Sequence, residues 1–167
     1  MGWELKRLAD KNLDAAIGLA AHYRNLNEPE QAESICRDVL AVAPENVDAL
    51  RTLGLALTDR FPTCWMTLFD EACATFRKLP SEYERTYYQG IAWERYALAQ
   101  AAGGRCRNAL NAFEDAMEHF DKAQHLAAKD DPSPVVHYNR CVRAVTTSAE
   151  LMREAEAEDG PKYEFGD

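Results

Sequence analysis

The sequence predicts an all-α fold. Apolar residues recur at intervals of three and four in every long segment, β-branched alternation is nearly absent, and the intervening connections are short. The first helix covers residues 3–25, with Leu5, Leu8, Leu13, Ile17, Ala20, Ala21 and Arg24 along its inner stripe. Asn27 caps the second, which ends near Val42, with Glu30 three residues on and Pro29 in the first turn, where a missing N–H costs nothing. Asn46 caps the third, which reaches Arg60, and the FPT stretch turns the chain into a fourth at residues 64–79. Ser81 and Glu84 form a capping box for a long fifth helix that stops at Gly103 and Gly104. The sixth covers residues 105–129, and Ser133 caps and Pro134 opens a seventh that reaches residue 158. Connections of about two to five residues make consecutive helices antiparallel, so seven helices either close into a bundle or stack as hairpins.

The composition narrows the function classes. A length of 167 residues suits one domain, here residues 1–158, and 47% apolar with 28% charged residues is ordinary for a chain with a core. No stretch approaches the ~18 apolar residues of a membrane span, and the N-terminal sequence lacks the apolar centre of a signal peptide, so a cytoplasmic location is expected. The formal charge of −9 disfavours nucleic acid, whose phosphates need clustered Lys and Arg. Residues 159–167 have no periodicity and read as a flexible acidic tail. The five cysteines stand singly, without CxxC or histidines at metal-ligand spacing, and are expected as reduced, mostly buried thiols. No HExxH, GxSxG or P-loop is present, and Glu114, Glu118 and Asp121 read as a solvated face rather than a metal site. Neither cofactor nor catalytic residue is expected.

Repetition chooses between bundle and stack. Gly54 follows Pro44 by ten residues and Gly90 follows Pro80 by ten, so LPSEYERTYYQGIAW overlays APENVDALRTLGLAL with a shift of 36. Stepping back 34 residues from Gly54 reaches Ala20, another small residue on a helix, and Cys141 takes the small position of the seventh helix. With Tyr23, Ala32, Trp93, Ala109, Phe113 and Ala116 in phase, the chain resembles the tetratricopeptide repeat family of 34-residue helix–turn–helix units. Gly90 to Ala109 spans 19 residues where Ala20 to Ala32 spans 12, so the fifth helix or its turn is expected to be about two turns longer than standard.

The resemblance implies a right-handed α-solenoid of about three hairpins, at residues 13–46, 47–82 and 83–133, with a capping helix at 134–158. Gly54 and Gly90 would then let the two helices of a hairpin approach closely. In that family the first helix of each hairpin lines a concave groove, which here implies Tyr87 and Tyr138 as anchors, with Leu55, Ile91 and Val142 beside them. Arg24 and Arg51 would orient acidic groups of a partner, and Glu84 and Glu94 basic ones. Relatives that grip a terminal carboxylate use Lys, Asn and Arg at positions occupied here by Ile17, Ala21, Thr52, Glu84 and Tyr88, so that clamp is lacking. The expected function is a non-enzymatic interaction module binding a protein or peptide. The alternatives are a chaperone for a single secreted or assembling client and a self-associating structural protein.

Overall fold

The computed structural model describes residues 2–159, which hold eight α-helices and no strand. They are α1 (Leu13–Asn25), α2 (Pro29–Val42), α3 (Val47–Asp59), α4 (Phe61–Arg77), α5 (Glu82–Ala102), α6 (Cys106–Leu126), α7 (Ser133–Thr147) and α8 (Ala149–Asp159). Two predicted caps are in place. Asn46 Oδ1 accepts from the Ala49 amide at 2.9 Å and Ser81 Oγ from the Glu84 amide at 3.3 Å, each satisfying one orphan N–H of a first turn. Gly104, at φ 71°, makes the left-handed reversal between α5 and α6.

Five expectations need correction. The first helix starts at Leu13 after a 3-10 turn (Asp10–Asn12), and residues 2–9 have no regular structure. Trp3 and Leu5 are 94% and 95% exposed. The 14-residue α2 matches only the 13 residues of α1, and an extension without a packing partner does not sustain itself in water. Asn27 adopts φ 60° in the turn and does not cap α2, which starts from Glu28; asparagine tolerates that left-handed conformation better than most residues. FPT forms the first turn of α4, because Phe61 is fully buried and Pro62 sits where no N–H is needed, and the predicted start at Cys64 is a kink (φ −136°).

The predicted seventh helix is two. A β-branched run, Val145, Thr146 and Thr147, leads to extended Ser148, whose Oγ accepts from the Leu151 amide at 3.3 Å and starts α8. The bend lets Leu151 bury against α6, with 3% exposure. At the other end of α7 the cap comes from Asp131, whose Oδ1 accepts from the Ser133 amide at 2.9 Å, rather than from Ser133. The predicted tail lies outside the described residues from 160 onward.

Substantial packing is confined to helices adjacent in the chain or two apart. Each helix lies against its successor, and α1 meets α3, α3 meets α5, α5 meets α7, and α6 meets α8. Neither α2 with α4 nor α4 with α6 makes a comparable approach. The small residues predicted from the repeat, Ala20, Gly54, Gly90 and Cys141, are buried on α1, α3, α5 and α7.

At two of these positions a phenylalanine ring fills the space a side chain would take. A Cβ on Gly54 would lie 2.6 Å from Phe76 Cζ, and one on Gly90 2.7 Å from Phe120 Cε1. Phe76 on α4 and Phe120 on α6 are fully buried, which stabilises each hairpin by roughly 1.5–3 kcal/mol per ring. Both glycines are therefore sockets for the partner helix.

Helix propensity alone favours alanine over glycine by about 1 kcal/mol, whereas overpacking costs about 1–3 kcal/mol. Gly54→Ala and Gly90→Ala should therefore lower the melting temperature, with Gly54→Leu worse still. Gly18→Ala, at a position with no neighbour within 4 Å of the new Cβ, should raise stability by about 0.5–1 kcal/mol. Calorimetric melts showing stabilisation at all three sites would refute the socket role.

Candidate functional site

Ion pairs tie residues about one repeat apart. Arg24 Nε on α1 donates to Asp59 Oδ2 on α3 at 2.6 Å, 35 residues on. Arg37 on α2 reaches Glu71 on α4 at 2.7 Å, 34 residues on, and Arg51 Nε on α3 donates to Glu84 Oε1 on α5 at 3.0 Å, 33 residues on. Asp59 also accepts from Arg95 on α5, 36 residues on. Farther along the chain the spacing widens: Glu94 on α5 has His137 Nδ1 at 2.8 Å, 43 residues on, and Arg107 on α6 donates to Glu154 on α8, 47 residues on.

The charged residues predicted for the groove therefore have partners inside the protein. Arg24 is engaged by Asp59, and Arg51 holds Glu84 while its Nη1 donates to Asp48 at 2.6 Å. Glu94, with only 1% exposure, sits between His137 and Arg140, whose Nη1 lies 3.0 Å from Oε1 without hydrogen-bond alignment. Burial depresses the Arg24 pKa from its usual value.

The predicted apolar and aromatic residues divide into two groups. Ile91 is buried in the core of α5, α6 and α7, and half-buried Leu55 packs beside it. Tyr87 stacks on Tyr83 (centroids 5.7 Å apart) and meets Tyr88, Phe120 and His137, so much of its ring is spent between helices. Burial, with the nearby Tyr88 and Asp131, pushes its hydroxyl up to about 12. Tyr138, 38% exposed, and half-buried Val142 lie on α7. Tyr88, Trp93 and Tyr96 make interhelical ring contacts with Phe76 and Phe69 at 4.6–5.1 Å.

Sequence reading missed a cleft of about 300 Å³ beside Asp59 and Arg95. Thr58 and Asp59 from the end of α3, Pro62 from the start of α4, and Arg95, Leu98 and Ala102 from α5 line it, with Arg140 closing it from α7. α5 has 21 residues against 13 in α3, and Asp59 aligns with Arg95 under the shift of 36, so Leu98 and Ala102 overhang the end of α3. The predicted extra two turns of the fifth helix were the available signal. Arg95 Nη1 donates to Thr58 Oγ1 at 3.0 Å, and the Thr58 hydroxyl donates to the Leu55 carbonyl at 2.8 Å. Among the described residues no group of three or more His, Cys, Asp or Glu side chains converges as a metal site would require.

All five cysteines are free. Burial pushes Cys36 and Cys73 up to about 11, and Cys141, also near the Glu94 charge, up to about 12. Because the thiolate is the reactive form, iodoacetamide at pH 8 should label the half-buried Cys64 and Cys106 first and the other three only on unfolding. Peptide mass mapping over time checks that order. Asp59→Asn should cost about 1–3 kcal/mol, since it leaves two partly desolvated guanidinium groups with a weaker acceptor. Denaturant titration beside Asp48→Asn, which removes an exposed pair worth about 0–1 kcal/mol, measures the difference. In comparisons with known proteins, no family model matches the chain and no curated protein is significantly similar to it.

Proposed function

We propose that the chain is a non-enzymatic protein-interaction module: a right-handed α-solenoid of about three tetratricopeptide-like hairpins with terminal capping helices. It binds a peptide or helix of a partner against the face formed by α1, α3, α5 and α7. The observation that carries this reading is the open, mixed cationic and apolar cleft on that face, lined by elements of successive hairpins.

Three further features support it. Packing between helices adjacent or two apart is the pattern of stacked hairpins, in which each repeat touches only its neighbours. Pairs 33–36 residues apart match one repeat per layer. The closer approach of α1, α3 and α5, relative to α2, α4 and α6, favours the first set for the inside of a curve. Five free thiols, three of them buried, accord with a reducing, cytoplasmic location.

Affinity capture with quantitative mass spectrometry tests this reading. Tyr138→Glu, at a 38% exposed groove position, should reduce recovery of a specific partner at least about tenfold, equivalent to ~1.4 kcal/mol. Met66→Glu, at a 77% exposed site on α4, should leave that recovery unchanged. Equal loss in both, or in neither, would be evidence against the groove. Exposed Trp3 and Leu5 favour a second reading, self-association, for which light scattering should show a mass that rises with concentration and falls on deletion of residues 2–8.

A further inference from the structure

Arg24, Asp59 and Arg95 occupy equivalent places on α1, α3 and α5, 35 and 36 residues apart, and their charges run plus, minus, plus. Opposite charges between layers satisfy each other, so the column is neutralised as far as Asp59 reaches. The next helix breaks the alternation. α7 presents Arg140 to the same cleft, and that side chain turns to Glu94 instead. Between Arg95 and Arg140 the cleft lining supplies no further acid, and its remaining wall, Pro62, Leu98, Ala99 and Ala102, is apolar.

We infer that the cleft between Arg95 and Arg140 binds a carboxylate side chain of the partner segment, as the missing anion of the column. The inference rests on the interaction-module reading and names the chemistry of one subsite. Guanidinium groups present paired N–H donors matched to a carboxylate, and such charge-assisted bonds gain strength where water is thin. Thr58 cannot serve as donor, because its hydroxyl proton goes to Leu55 and its oxygen accepts from Arg95. Three guanidinium groups (Arg24, Arg95, Arg140) against two carboxylates (Asp59, Glu94) leave one positive charge, which suits a monoanion over a phosphate dianion. The excess is felt at Arg95: burial, with Arg24 and Arg140 nearby, lowers its pKa to about 10. The apolar wall calls for an aliphatic group beside the acid. This place, at the end of α3, differs from Thr52, Glu84 and Tyr88, where relatives suggested by the sequence hold a chain terminus.

The test uses ¹⁵N-labelled full-length protein titrated with 4-methylpentanoate, its neutral amide and inorganic phosphate. The carboxylate should shift the amide resonances of Thr58, Leu98 and Arg140 saturably, and the amide should bind at least about tenfold more weakly. Arg140→Gln withdraws the charge facing buried Glu94 and should lower the melting temperature while leaving the protein folded at 25 °C, and it should lose the carboxylate response at least about fivefold. Equal shifts from acid and amide, tighter binding of phosphate, or an unaffected Arg140→Gln variant would overturn the subsite. A partner held equally by parent and Arg140→Gln would also overturn it while leaving the module standing. A carboxylate response without any groove-dependent partner would support the subsite and sink the module.

Discussion

The seating of one phenylalanine ring in one glycine socket fixes the distance between the helices of a hairpin. Phe76 enters at Gly54 and Phe120 at Gly90, and neither ring has room to retreat, because both are fully buried among tightly packed neighbours. A helix gives up about 1 kcal/mol of propensity for each glycine and recovers more through the ring. The consequence is geometric. With α4 held against α3 and α6 against α5, the next hairpin meets a surface of set depth. Half-buried side chains on α1, α3 and α5 then fall within hydrogen-bonding reach of each other.

The charges that exploit this reach do more for register than for stability. Exposed pairs such as Arg37 with Glu71 contribute about 0–1 kcal/mol, and a partly buried carboxylate recovers little beyond its desolvation. Their chemistry is nevertheless selective. Asp59 between Arg24 and Arg95 is satisfied only when α1, α3 and α5 stand one repeat apart, and a slip by one helical turn would leave a desolvated cation alone. Four of the nine residues predicted to face a partner are spent in this way. Their places on α1, α3 and α5 were legible in the sequence, but their mutual pairing was not, because pairing depends on which side chains become neighbours once the helices pack.

Local signals were read well where one residue decides the outcome. Asn46 and Ser81 cap because an orphan N–H lies within reach of a short polar side chain, and that holds whatever the rest of the chain does. Gly54 and Gly90 stood out because glycine inside a good helix demands a packing reason. The failures share a cause in tertiary context. Leu5 continues the apolar stripe of the first helix, yet α2 is too short to cover it. Phe61 looked like part of a turn until a core cavity claimed its ring. Ser148 reads as one more helical residue unless α6 offers Leu151 a place to bury. Arg95 and Arg140 were invisible as a pair because 45 residues separate them, a spacing outside the repeat used to align the chain.

That wider spacing comes from the longest elements. α5 and α6 each have 21 residues, so the partners of α5 on α7 lie 43 or more residues on, against 33–36 in the earlier layers. Lengthening both helices together preserves the socket at Gly90, because the added turns lie beyond it, toward Gly103. The cost is a step, since α3 ends at Asp59 while α5 runs on to Ala102, and nothing on α3 covers Leu98 and Ala102. The extra turns of α5 separate Arg95 from its next neighbour in the column, and the cleft is the physical remainder of the difference in length between α3 and α5.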